Sequence, residues 1–265
     1  MRACILIFMI ISFLRPMAQD RYFGQTYTTN VLPKGNIDFE LWHTSRIGHS
    51  DQYFHGMEQR MEFEFGLGKN IQTAFYFNRY QTSYSNAMDE IVQNNEIGFS
   101  NEWKWKITDP SSNKIGSALY EEIGIKGDEL ELESKLILDK SFGKNLIAMN
   151  VVYELEYEAE RRNGRSNFQV SHTPVTVDLG YMRNLSYSFG VGIEFRNYNE
   201  VIKGSWKNSV LYGGPTINYR SNRWFVIGNY LPQWVNLKKT QEFPNKKVLN
   251  ELERMEARII FGISF

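Results

Sequence analysis

The sequence predicts an all-β chain, an antiparallel up-and-down transmembrane β-barrel of twelve strands over residues 36–265. Three observations predict it. Apolar and polar residues alternate with period two from Asn36 to the last residue. The connections between alternating runs switch between short and long. The chain opens on a secretory leader.

The leader is residues 1–18. Met1-Arg2 is its positive start, Ala3 to Leu14 its apolar run, and Pro16-Met17-Ala18 offers a small residue at the cut. The competing reading is a buried N-terminal helix. The apolar run is too short for a spanning helix, and no other run approaches membrane length, so a polytopic helical membrane protein is excluded. The single cysteine, Cys4, lies inside the leader. Disulfide scaffolds, zinc ribbons and thiol chemistry are therefore excluded from the rest. Lys plus Arg and Asp plus Glu each number 30. There is no basic surplus, and no nucleic-acid partner is expected.

Residues 19–35 precede the first strand. They form either a periplasmic N-terminal segment or a plug folded into the lumen, and both remain open. The barrel strands follow in order. Ile37, Phe39 and Leu41 alternate with Asp38, Glu40 and Trp42. Met61, Phe63 and Phe65 alternate with Arg60, Glu62 and Glu64, and Ile71 to Phe77 continue on a third strand. Trp103 and Trp105 alternate with Glu102 and Lys104 on a fourth. Residues 115–125 are a less regular fifth strand. Leu130, Leu132, Leu136 and Leu138 alternate with Glu129, Glu131, Glu133 and Lys135 on the sixth. Met149, Val151, Tyr153 and Leu155 alternate with Asn150, Glu154 and Glu156 on the seventh. Val175 to Tyr181 form the eighth, and Phe189 to Phe195, with Glu194 and Arg196 opposite, the ninth. Two strands near 209–219 and 224–234 precede the last. That last strand sets Met255, Ala257, Ile259, Phe261, Ile263 and Phe265 against Glu256, Arg258 and Ser264.

Short connections at Gly68-Lys69-Asn70, 109–113, Gly143-Lys144-Asn145, Arg183-Asn184 and 221–223 carry the residues that tight turns need. The other set is mostly longer, at 46–56, 79–94, 159–172, 198–208 and 236–250, with 126–128 the exception. Short turns on one side and long connections on the other are the layout of an outer-membrane barrel, with both chain ends on the periplasmic side. Phe65, Trp105, Phe142, Tyr181, Phe189, Tyr219 and Phe265 fall near the short-turn ends on the apolar face, as an interfacial girdle does. The competing architecture is a soluble β-sandwich, whose apolar faces would form a core.

The leader, the alternating strands and the terminal Ile259–Phe265 segment resemble those of bacterial outer-membrane barrels. Leu32-Pro33-Lys34-Gly35 before a strand, and Gly213-Gly214-Pro215-Thr216 before a turn and Trp224, resemble uncharacterised twelve-stranded barrels grouped with transporters linked to aromatic-compound degradation. The resemblance implies an outer-membrane location and a role for Phe265 as the signal read by the barrel-assembly machinery.

Chemistry falls mainly to the inward charges. The expected lumen lining is Arg60, Glu62, Glu64, Glu102, Lys104, Glu129, Glu131, Glu133, Lys135, Glu154, Glu156, Glu194, Arg196 and Arg258. These groups either cross-link a filled lumen or line a narrow pore. His43, His49, His55 and His172 lie toward the long-connection side. Gly48-His49-Ser50-Asp51 invites a hydrolase reading, but the bland reading is a polar loop. No histidine pair has a recognised metal-ligand spacing, and no phosphate loop is present, so neither metal nor cofactor is expected. The resulting expectation is a monomeric channel or passive transporter for a small solute, not an enzyme. Its partners would be outer-membrane lipid, the assembly machinery and the solute. The alternatives are a rim enzyme acting on lipid or lipopolysaccharide, and a structural barrel with a blocked lumen.

Overall fold

The computed structural model describes residues 21–162, 165–241 and 243–265. The expected leader, residues 1–18, lies outside them. Thirteen strands follow one another: β1 (Ile37–Ile47), β2 (Phe54–Gly68), β3 (Ile71–Ser85), β4 (Ile91–Thr108), β5 (Gly116–Lys126), β6 (Glu129–Phe142), β7 (Asn145–Arg162), β8 (Arg165–His172), β9 (Val175–Asn184), β10 (Phe189–Ile202), β11 (Ser205–Arg220), β12 (Trp224–Asn236) and β13 (Met255–Ser264).

Each strand pairs antiparallel with its neighbour, and β13 pairs with β1 from Asp38↔Ser264 to Ile47↔Met255, which closes the sheet. The thirteen strands occupy twelve positions. β7 pairs with β8 along its outer part and with β9 along its inner part, so β8 and β9 share one position. The break between them is at Pro174, which has no N–H to give the ladder. Its carbonyl still accepts the Glu154 N–H at 3.1 Å.

Several expected long connections are strand. Residues 79–94 shrink to a turn between Ser85 and Ile91, and 198–208 to a two-residue turn at Lys203-Gly204 with φ of 48° and 75°. Residues 159–172 are largely the outer ends of β7 and β8. The strands on that side outrun the 9–11 residues a bilayer needs. Their protruding ends carry polar residues on both faces, which on sequence resembles a loop. Among the described residues of these connections, the long stretch without strand lies between Asn236 and Met255.

The alternation sorts side chains by solvent. Leu41, Phe63, Phe77, Trp103, Leu136 and Ile217 stand exposed on the outer face. A continuous apolar belt of this size suits hydrocarbon rather than water. Phe189 pairs with Tyr219, and Tyr219 packs on Trp224 at 5.1 Å between ring centroids, at the short-turn rim. Phe265 closes that rim, its N–H donating to the Ile37 carbonyl at 2.8 Å. Inward side chains are mostly polar. The main apolar cluster inside joins Tyr27, Trp42, Tyr120, Ile137, Phe225 and Ile260.

Candidate functional site

Residues 21–35 have no regular structure, yet their backbone groups are buried and must find partners. Inward side chains of the wall supply them. The Glu194 carboxylate accepts the N–H groups of Gly24 at 2.9 Å, Gln25 at 2.8 Å and Thr26 at 3.0 Å. Asn150 accepts from the Tyr27 N–H at 2.6 Å and donates to its carbonyl at 3.0 Å. Asp139 accepts the Thr29 N–H at 2.9 Å and its hydroxyl at 2.8 Å. Gln72 accepts the Leu32 N–H at 2.9 Å. These four side chains sit on β10, β7, β6 and β3, so the segment runs across the lumen. Two wall glycines make room for it. A Cβ at Gly66 would lie 2.0 Å from the Pro33 carbonyl oxygen, and one at Gly180 would lie 2.8 Å from the Phe23 ring.

Toward the protruding hairpins the segment leaves a cavity of about 320 Å³. Gln25, Tyr27 and Trp42 line its inner end. One wall carries Glu122, Glu131, Glu133 and Glu154, the other Arg46, Arg60, Arg196 and Arg258. The basic wall is knitted to carboxylates. Arg46 bridges Glu58 at 3.2 Å and Glu256 at 3.0 Å, and Arg196 bridges Asp178 at 3.3 Å and Glu256 at 3.6 Å. Arg60 reaches Glu58 at 3.3 Å and lies over the rings of Trp42 and Tyr76. The acidic wall is less compensated. Lys135 pairs with Glu133 at 2.7 Å, and one oxygen from each of Glu131, Glu133 and Glu154 lies within 4.8 Å of the others.

The anticipated lining residues divide into three groups. Arg60, Glu131, Glu133, Lys135, Glu154, Arg196 and Arg258 border the cavity. Glu62, Glu64, Glu102, Lys104 and Glu194 lie deeper and are buried. Glu129 and Glu156 lie toward the hairpin ends, paired with Lys126 at 2.7 Å and His172 at 3.2 Å. Sequence reasoning missed Arg46, Glu58, Glu122 and Asp178 at the cavity. Arg46 fell in a stretch read as loop, and Glu122 lies on the irregular fifth strand. It also missed Gln72, Asp139 and Asn150 as holders of the lumen segment. Their only signal was an inward amide or carboxylate.

The histidines behave differently from the Gly48–Asp51 reading. His49 stacks on Phe54 with ring centroids 3.8 Å apart, and burial lowers its pKa, opposed by nearby Asp51. Among the described residues, a Ser–His contact is made instead by His43 Nε2 with Ser45 Oγ at 3.2 Å, on the exposed outer face of β1. Gln59 is the register partner of His43, and its side-chain oxygen accepts from Arg79 at 2.9 Å.

A family of unknown function, DUF6662, has a model that matches residues 15–265. The chain belongs to this family. No curated protein matches it. Among solved structures, the COG4313 outer membrane channel from Pseudomonas putida F1 superposes with a TM-score of 0.67 at 9% identity, over 89% of this chain and 98% of that one. The translocator domain of autotransporter NalP from Neisseria meningitidis gives 0.54 at 9% identity, over 87% and 88%. The NanC porin gives 0.51 at 12% identity, over 86% and 98%. At such identities the likeness speaks for the fold, which is that of twelve-stranded outer-membrane barrels.

Proposed function

We propose that this family member is an outer-membrane channel that passes a small solute by diffusion, with the lumen segment as plug and the charged cavity as selectivity region. The observation that carries the reading is the cavity of about 320 Å³, with acidic side chains on one wall and basic ones on the other, set above a segment that wall side chains hold in place. A structural barrel has no need of a charged recess, and acidic residues set directly opposite one another, as at Glu133 and Glu154, oppose stability. The net acidity of the β5–β7 wall favours cations, because charges around a narrow low-dielectric passage focus the field. The likeness to a protein named as an outer membrane channel supports transport. Phe265 serves as the assembly signal, and the barrel acts as a monomer. Single-channel recording of the full chain in planar bilayers tests the reading. Discrete conductance steps with cation preference are expected, and no current under any voltage would overturn it.

A second reading rests on one contact. Ser45 and His43 pair as nucleophile and base do, on the outer face near the hairpin side, where a lipid ester bond is in reach. Among the described residues no carboxylate or amide orients His43, so the dyad is incomplete as it stands. Hydrolysis of a fluorogenic phospholipid by wild type and not by Ser45→Ala would establish it.

A further inference from the structure

The register sets carboxylates side by side around half the barrel. Asp38 pairs with Glu64, Glu64 with Ala74, Ala74 with Glu102, Glu102 with Glu122, Glu122 with Glu133 and Glu133 with Glu154. Barrel strands tilt by 35–45° and lie about 4.8 Å apart, so such a row climbs roughly 3 Å per strand. It begins near the short-turn rim at Asp38 and reaches the cavity at Glu133 and Glu154. Ala74 is the one gap. Its methyl leaves room above β3 for Glu64 and Glu102 to approach one another.

At the lower end the carboxylates are sealed from solvent. Asp38, Glu40, Glu62, Glu64 and Glu102 are each at most 1% exposed. The basic groups among them are Arg21 and Lys104. Arg21 bridges Glu40 at 3.3 Å and also stacks on Tyr27 and Trp42. Five carboxyl groups with two basic groups among them, all shielded from solvent, call for either protons or a further cation to balance them. Glu102 accepts the Tyr76 hydroxyl on one oxygen, and its other oxygen has no partner among the described residues. Glu62 is fully buried and no amide, hydroxyl or cation among them donates to either of its oxygens in hydrogen-bond geometry, its side-chain contact being with the Glu64 carboxyl. An unpaired buried carboxylate is among the costliest arrangements a fold can hold. One oxygen from each of Glu62, Glu64 and Glu102 lies within 4.8 Å of the others.

We infer that Glu62, Glu64 and Glu102 hold a divalent cation of calcium size inside the barrel, behind the lumen segment. Three oxygens at the 2.3–2.6 Å typical of calcium stand up to about 5 Å apart, which suits this spacing, whereas magnesium demands a tighter octahedron. The cation supplies positive charge beyond that of Arg21 and Lys104, and gives the Glu62 oxygens a partner other than a second carboxyl. It also braces the plug. Glu64 accepts from the Gln72 amide at 3.1 Å, and Gln72 holds the Leu32 N–H. Binding ties β2 to β4 across β3, on the wall that anchors the segment. The inference stands on the buried cluster and does not depend on conduction.

The test uses the full-length barrel, assembled in detergent, stripped with a chelator and dialysed against calcium chloride up to the millimolar range. Wild type should retain one equivalent of Ca²⁺ and unfold at a higher temperature with it than without. Glu62→Gln should bind at least about tenfold more weakly and lose the thermal shift, since even outer-shell changes at metal sites cost that much. Glu102→Gln repeats the test should Glu62→Gln fail to assemble. The double variant Glu131→Gln/Glu154→Gln, which alters only the cavity wall, should keep the bound ion. Wild type that binds no Ca²⁺ overturns the inference and leaves the carboxyls neutralised by protons. Loss of the ion in the cavity variant overturns it too, by moving the site to that wall. A barrel that binds Ca²⁺ here and passes no current leaves the inference standing and removes the channel reading.

Discussion

Replacing Glu194 with alanine should open the lumen. Glu194 is fully buried, and its carboxylate accepts from three successive backbone N–H groups, Gly24, Gln25 and Thr26, as well as from the Thr26 hydroxyl at 3.2 Å and the Asn229 amide at 3.1 Å. Hydrogen bonds to a charged acceptor contribute about 1.5–3 kcal/mol each, and three to the backbone alone give roughly 4–9 kcal/mol. Burying the carboxylate offsets part of this, by several kcal/mol. A net loss of about 3 kcal/mol is a conservative remainder, and it moves the ratio of seated to released segment by about a hundredfold. The barrel strands lose no ladder bond, so the fold should persist. The readouts are single-channel conductance and amide exchange at residues 24–26. Larger or longer open events and faster exchange are expected. Unchanged conductance together with unchanged exchange would refute the reasoning, because the segment would then be held by something other than Glu194.

Other consequences can be checked separately. The protein should fractionate with outer membrane and migrate differently on gels before and after boiling; recovery as a soluble protein would contradict the outward apolar belt. Deleting Phe265 should lower the amount of assembled barrel without changing synthesis, scored by the folded gel band against total protein. Glu131→Gln with Glu154→Gln should weaken cation preference, measured as reversal potential in a salt gradient, and the difference should shrink near 1 M salt, where the screening length is about 3 Å. In the turn after β4, hydrogen bonds from Ser111 and from Lys106 hold the Asp109 carboxyl down at about 2, against 3.8 ordinarily. A depressed folded-state value means stability that is present above pH 3.8 and lost as pH falls toward 2. Asp109→Asn should therefore melt slightly lower than wild type at pH 7, by a small margin at so exposed a site, and the gap should close near pH 2.

How far the sequence spoke can be seen strand by strand. Period-two alternation named the faces of β1, β2, β6, β7 and β13, because an outward side chain meets lipid and an inward one meets polar groups. The hairpin ends of β3, β4, β7, β8, β10 and β11 escaped notice. Beyond the bilayer both faces meet water, the alternation fades, and a strand there has the composition of a loop. Arg46 was lost to the site for that reason. Glu122 was lost because β5 puts Gly124 and Glu121 where the period asks for contrast. The course of residues 21–35 left almost no trace, since its partners Asn150, Asp139 and Gln72 look like any inward polar residue until the segment lies beside them.

Register is the deeper reason why the site was only half legible. Sequence can say that Glu64, Glu102, Glu133 and Glu154 point inward, but not that they stand level with one another. Their alignment depends on the length of every turn between them, including the shift between Gly66 and Gly68 and another between Lys106 and Thr108. Moving one strand by two residues keeps each side chain on its face and yet breaks the row, setting Glu102 beside Tyr76 instead of Ala74. The acidity of this lumen is thus a property of the strands, whereas the gathering of that acidity into a climbing row is a property of the turns. An insertion of two residues in a connection between β2 and β4 should therefore leave an intact barrel with a scattered row, and such a variant separates the effect of inward charge from the effect of its arrangement.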